Sequence, residues 1–196
     1  MSENDPLSTP PAAVTISLPS WVPGIVDWTR RYTTVDDRMR LAITLARESA
    51  VRGGGPFGAA VFESESGTLV GVGVNDVVGA RNSVLHAEVM AIIFAEARAG
   101  AYSLRAPGLP AHELVSSCEP CAMCLGATHW SGVRRLVFGA RRDDAERIGF
   151  EEGPVFPESY RYLESRGIEV VGGVLRDEAS AVLELYRHRG GLVYNA

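Results

Sequence analysis

The stretch between two short apolar runs, Leu136–Ala140 and Ile168–Leu175, is the feature that most constrains the fold. It is far too long for a hairpin and carries a helical pattern over Pro157–Arg166, so it predicts a crossover joining two parallel strands. Upstream, Thr34 stands three residues before Asp37 as a helix N-cap, and Met39, Leu41, Ala42, Leu45, Ala46 and Ala50 follow at helical spacing. Gly53-Gly54-Gly55-Pro56 stops that helix. Two apolar runs, Gly58–Phe62 and Thr68–Val74, flank the turn residues Glu63–Gly67 and read as a hairpin. The residues from Asn75 to Leu85 read as a loop. Further helices are predicted over His86–Ala99, Cys121–Trp130 and Asp177–His188, with a short strand at Leu114–Ser116. This alternation specifies a three-layer α/β/α sandwich around a mixed five-stranded sheet whose last two strands run parallel.

Five of the eleven prolines lie in the first 23 residues. Proline at that density blocks helix and central strand alike, so residues 1–30 read as a Pro-rich arm on a domain spanning 31–196. Val14, Ile16, Leu18, Trp21 and Val22 make the arm apolar enough that residues 12–28 are expected to lie against the body or a partner subunit. The chain opens without a basic segment followed by an apolar one, and no apolar run approaches the ~18 residues of a membrane span. A soluble cytoplasmic protein is expected.

Lysine plus arginine total 19 against 24 acidic residues, a net charge of −5, and all the basic residues are arginine. Without lysine, Schiff-base, pyridoxal-aldimine and phosphate-loop-lysine chemistry are excluded. The acidic balance also argues against a nucleic-acid partner. All three cysteines fall between Cys118 and Cys124, an odd and crowded set that makes a poor disulfide framework but a ready metal site.

His86-Ala87-Glu88 opens one predicted helix and Pro120-Cys121-Ala122-Met123-Cys124 opens another. Alone, a Cys-x-x-Cys is compatible with redox chemistry, with zinc or with neither. Cysteines three apart at a helix start can converge on one ion, and the positive end of the helix favours their thiolates. With His86 they make three protein ligands, the number at a catalytic zinc that keeps one position open, whereas structural zinc takes four. Glu88 places a proton acceptor beside the ligand, the arrangement used by zinc deaminases. Cys118 offers the rival series Cys118-x-x-Cys121-x-x-Cys124, but an iron–sulfur cluster takes four thiolates and the chain has three. Cys118 is read instead as a small buried residue at a strand end. His112, His129 and His188 are read as core or solvated histidines, and the arginine pairs at 134–135 and 141–142 as solvated faces. Trp130 serves equally as core or as the wall of a site for a flat ligand.

These words resemble the cytidine deaminase superfamily, and the surrounding ones resemble its guanine deaminase branch. Pro56-Phe57-Gly58-Ala59, Gly73-Val74-Asn75, His86-Ala87-Glu88-Val89, Ser117 to Ala127 and Ile148-Gly149-Phe150 carry the likeness, which runs from about Thr34 onward. The resemblance implies zinc held by His86, Cys121 and Cys124, with Glu88 shuttling protons and Glu152 as a second carboxylate near the substrate amine. It implies substrate contacts from Asn75, Phe57, Ala87 and Trp130. Tyr194 would close the site, in a homodimer that swaps its C-terminal segments. The implied reaction is hydrolysis of guanine to xanthine and ammonia. Cytosine, 5-azacytosine or an aminotriazine such as ammeline is the alternative substrate, and adenosine in transfer RNA a further one. The chain departs from the branch by continuing past Tyr194 with Asn195-Ala196 and by its N-terminal extension.

Overall fold

The computed structural model describes residues 13–195. In chain order the elements are α1 (Val22–Ile25), α2 (Val35–Val51), β1 (Gly58–Glu63), β2 (Leu69–Val74), α3 (Val77–Ala80), α4 (Ala87–Ala99) and β3 (His112–Cys118). They continue with α5 (Ala122–Ser131), β4 (Arg135–Ala140), α6 (Arg142–Arg147), α7 (Pro157–Ser165), β5 (Glu169–Gly172) and α8 (Arg176–His188). The five strands form one sheet in the order β2-β1-β3-β4-β5. The crossover through α7 delivers β5 parallel to β4, and β4 is parallel to β3. β1 pairs antiparallel with both β2 and β3, so half of the pairings are antiparallel and the sheet is mixed.

Side-chain alternation divides the core between the two faces of the sheet. Ala60, Phe62, Val72, Val115 and Val137 face one cluster, capped by Met39, Leu45 and Ala46 of α2 and Val182 and Leu183 of α8. Ala59, Val61, Val70, Leu114 and Leu136 face the other, with Ala87, Ala91 and Ile92 of α4, Leu125 of α5 and Leu163 of α7. Helix α2 begins as the sequence requires, with the Thr34 hydroxyl accepting from Asp37 N at 3.1 Å. At the start of β3, the buried ion pair Arg38–Glu113 (2.8 Å) ties α2 to the sheet, and Arg38 also donates to Tyr32 O and Ser64 O.

The strands β3 (His112–Cys118, against Leu114–Ser116) and β5 (Glu169–Gly172, against Ile168–Leu175) differ in length from the sequence reading, and two short helices are additional. The segment 75–85 contains the single turn α3, and α6 lies where no apolar periodicity announces a helix. Helix α6 is held by charge: Asp144 Oδ2 accepts from Arg141 N at 2.9 Å, and Asp144 pairs with Arg147 and Arg176. In the N-terminal segment Val22 is fully buried, and Leu18, Trp21, Ile25 and Trp28 pack on the core facing α2. Residues 1–11 of the sequence-assigned arm, and residue 12 of the segment expected to pack, lie outside the described residues.

Glycines in the sheet decide how closely the helices can sit. A Cβ on Gly71 would stand 2.6 Å from Ala91 O, and one on Gly73 would collide with Ala87 O, so β2 tolerates α4 only because these positions lack side chains. Gly126 of α5 has nothing within 4 Å of its missing Cβ. Gly73→Ala is therefore expected to lower unfolding stability by about 1–3 kcal/mol through overpacking. Gly126→Ala is expected to raise it by about 0.5–1 kcal/mol. Urea unfolding midpoints of the two variants check both signs.

Candidate active site

Because β1 runs antiparallel to β2 and β3, the residue before β1, the residue after β2 and the residues after β3 meet at one edge of the sheet. These are Phe57, Asn75 and Glu119–Cys121. Helix α4, reached from β2, starts at the same edge. His86 and Cys121 are the extended N-cap residues of α4 and α5, so both side chains leave the chain just ahead of a helix whose positive end favours an anionic ligand set. Cys124 lies in the first turn of α5.

His86 Nδ1 is 3.5 Å from Cys121 Sγ and 3.6 Å from Cys124 Sγ, and all three ligand atoms lie within 4.8 Å of one another. Ideal zinc bond lengths and tetrahedral angles place a nitrogen and a sulfur about 3.6 Å apart, so the donor set fits zinc in spacing as well as in type. Cys121 is held well below the usual thiol range, at about 4, by its hydrogen bond with Cys124 and by His86, while Cys124 is pushed up by the same pairing. Burial opposes the charged form of His86, but the Cys121 hydrogen bond and the Glu88 charge outweigh it and raise its pKa.

Glu88, in the first turn of α4, is buried against the ligands. Its Oε1 accepts from Ser116 Oγ at 3.0 Å, and Cys124 Sγ lies 3.4 Å from its Oε2. Burial, and then the charge on Cys121, raise its pKa. Glu152 sits in the loop after α6, whose backbone is fastened to α5 by Ala122 N donating to Glu152 O at 3.0 Å. Burial pushes its carboxyl up to about 9, with the negative charges of Cys121 and Glu88 adding to the effect. A divalent cation among the ligands acts in the opposite sense on both carboxyls.

The cavity over the ligands is lined by Phe57, Asn75, His86, Glu88, Glu119, Cys121, Glu152, Tyr194 and Asn195. Asn75 is buried, its Oδ1 accepts from Val77 N at 3.4 Å, and its Nδ2 has no partner. Phe57 and Tyr194 both pack on Phe150, with ring centroids 5.0 and 5.1 Å apart. The bare Gly55 lets its loop approach, since a Cβ there would lie 2.8 Å from Asn75 Oδ1 and 2.9 Å from Tyr194 Oη.

The structure does not bring two of the sequence candidates to this cavity. Ala87 is fully buried in the core beneath α4. Trp130 is 78% exposed near the C-terminal end of α5, edge-on to His129 with ring centroids 4.8 Å apart. Cys118 is buried at the end of β3 with Sγ directed to Arg141 O, and burial holds its thiol neutral, so it stands apart from the ligands. Glu119 and Asn195 line the cavity without having been singled out in the sequence. Their adjacency to Cys121 and Tyr194 is the signal that points to them.

The cytidine and deoxycytidylate deaminase zinc-binding region matches residues 33–140, and the chain belongs to that family. It is a zinc-dependent deaminase, an enzyme that hydrolyses a C–N bond. The guanine deaminase of Bacillus subtilis (strain 168) is 37% identical over 131 residues, which span 66% of this chain and 80% of the relative. The structure of the guanine deaminase from Nitrosomonas europaea superposes with a TM-score of 0.87 at 45% identity, covering 92% of this chain and 99% of that one. A mutant of NE0047 in complex with 8-azaguanine superposes equally well, at 46% identity over 90% of this chain and 98% of that one.

Cys124→Ser is expected to reduce zinc in the purified protein from about one ion per chain to a small fraction of that, measured by elemental analysis. In zinc-free protein, Glu152 binds its proton more tightly folded than unfolded between the ordinary carboxyl value and about 9, so stability falls as pH rises through that window. Glu152→Gln removes this slope: urea unfolding should find it more stable than the parent at pH 8, with the gain shrinking toward pH 4.

Proposed function

We propose that the protein hydrolyses the exocyclic amine of a free nucleobase, guanine first, to give xanthine and ammonia. The observation that carries this reading is the unpartnered Asn75 Nδ2 in the same small cavity as His86 and Cys121 of the ligand set and the buried carboxyls of Glu88 and Glu152. A buried amide donor with nothing to donate to is costly unless a ligand supplies the acceptor. Guanine presents ring nitrogens and a carbonyl oxygen that can do so, and a flat ring suits the aromatic wall made by Phe57 and the Tyr194 closure. The guanine deaminase relatives support the same base.

Zinc, when bound, supplies Lewis acidity that makes water a competent nucleophile near neutral pH. The chain's own residues then manage the protons. Glu88, oriented by Ser116 Oγ, takes a proton from the attacking water and delivers it to the ring nitrogen next to the amine-bearing carbon. In a second transfer Glu88 takes the proton of the newly added hydroxyl and passes it to the amine, with Glu152 on the same cavity wall to assist, and the amine departs as ammonia as the C–N bond breaks. Asn75 holds the ring in register, and Tyr194 shields the cavity from water.

Cytosine, 5-azacytosine and aminotriazines such as ammeline form the second reading, because the proton chemistry addresses only the amine and its neighbouring ring nitrogen. Adenosine in transfer RNA is opposed by the net charge of −5. The reading includes a homodimer that exchanges its C-terminal segments. In the single chain Tyr194 closes its own cavity, and extension at Gly190-Gly191 would carry the same contacts to a partner. It also includes residues 31–196 as the catalytic unit, and a cytoplasmic setting that suits three free cysteines. No helix among the described residues is long and apolar enough to cross a membrane.

Purified zinc-loaded protein should release ammonia from guanine faster than from cytosine, ammeline or transfer RNA in a coupled assay; no release from guanine refutes the assignment. Glu88→Gln should keep about one zinc per chain and lose turnover by roughly 10²–10⁴-fold. Near-normal turnover would remove Glu88 from the proton path.

A further inference from the structure

Two buried atoms on the cavity wall lack a hydrogen-bond partner, and they are of opposite kind. Asn75 Nδ2 is a donor and Asn195 Oδ1 is an acceptor. The orientation of the second amide is set by its other end, since Asn195 Nδ2 donates to Glu151 O at 2.6 Å. An amide whose NH₂ is engaged on a backbone carbonyl has only its oxygen left to offer. Glu151 precedes Glu152, so this oxygen is tied to the loop that carries the second carboxyl. Asn75 lines the same cavity, where its Oδ1 and the Tyr194 hydroxyl both come close to Gly55. The wall thus carries a fixed donor and a fixed acceptor, each paid for by burial and each unanswered within the protein.

We propose that Asn195 is a specificity-determining residue, whose Oδ1 accepts a hydrogen bond from a ring N–H of the substrate while Asn75 Nδ2 donates to a ring acceptor. The proposal rests on the nucleobase reading above. It gives the residue after Tyr194 a recognition role distinct from closure. A base carrying an alkyl group or a sugar on the recognised nitrogen has no hydrogen to offer, and it leaves the Asn195 oxygen buried and unpaired. Sites built to hydrogen-bond a substrate group discriminate strongly against analogues that lack it.

The test compares wild-type protein and Asn195→Ala, both zinc-loaded, on guanine and on 1-, 7- and 9-methylguanine. It reads kcat/KM, or the inhibition constant where a methylated base is not turned over. For guanine the variant should lose roughly 3- to 10-fold, mostly in KM, the effect of one neutral hydrogen bond. For the one methylated base whose blocked nitrogen is the partner, the variant and the wild type should differ by less than about 2-fold, because that bond is already absent. An equal loss on all four bases would show that Asn195 only anchors the Glu151–Glu152 loop, and no loss on guanine would show that its oxygen meets no substrate; either overturns the proposal. A wild-type protein inactive on guanine would refute the nucleobase reading itself, and that outcome appears before any substitution is compared.

Discussion

The close seating of α4 on β2 is the contact on which the rest of the site depends. Gly71 and Gly73 remove the side chains that would hold the helix away, and α4 settles against the strand. That approach brings the start of α4 to the sheet edge where β3 ends. His86 and Cys121, each the last extended residue before a helix, then face one another at 3.5 Å. Because Glu88 follows two residues after His86, the same placement fixes a buried carboxyl beside the ligand set. Gly58 does the corresponding work for α2 on the other face, where a Cβ would stand 2.8 Å from Leu45 Cβ.

Around that junction the protein concentrates negative charge where little solvent reaches. Burial raises the cost of ionising Glu88 and Glu152, and the charge on Cys121 adds to it for both. A divalent cation resolves the conflict, since it stabilises the thiolates and draws the carboxyls toward ionisation. Metal loading and the charge state of the two carboxyls are thus coupled. The C-terminal segment belongs to the same arrangement, because Tyr194 packs on Phe150 and Asn195 Nδ2 donates to Glu151 O.

The parts of this arrangement that depend on local spacing were legible in the sequence. The crossover between β4 and β5, the Thr34 cap, the hairpin and the His86, Glu88, Cys121 and Cys124 motif residues follow from patterns a few residues long. The antiparallel pairing of β1 with β3 was not, because Ala59↔Ser116 joins residues far apart in sequence and no local pattern specifies a partner. Helix α6 was missed for want of apolar periodicity, its stability coming from Asp144 and distant Arg176. Trp130, which the sequence allows equally as core or as a pocket wall, is exposed in the single chain. Glu119 and Asn195 stand beside motif residues, a signal of nearness only, and the fold is what shows that they line the cavity.

The central claim is that three side chains hold zinc and leave one position for a small ligand. Zinc K-edge X-ray absorption of the purified protein tests it most directly. Two sulfur neighbours near 2.3 Å and one imidazole nitrogen plus one further light atom near 2.0–2.1 Å are expected, with the light-atom shell perturbed when guanine is added. A shell of three or four sulfurs, or a four-protein-ligand shell unmoved by guanine, would contradict it.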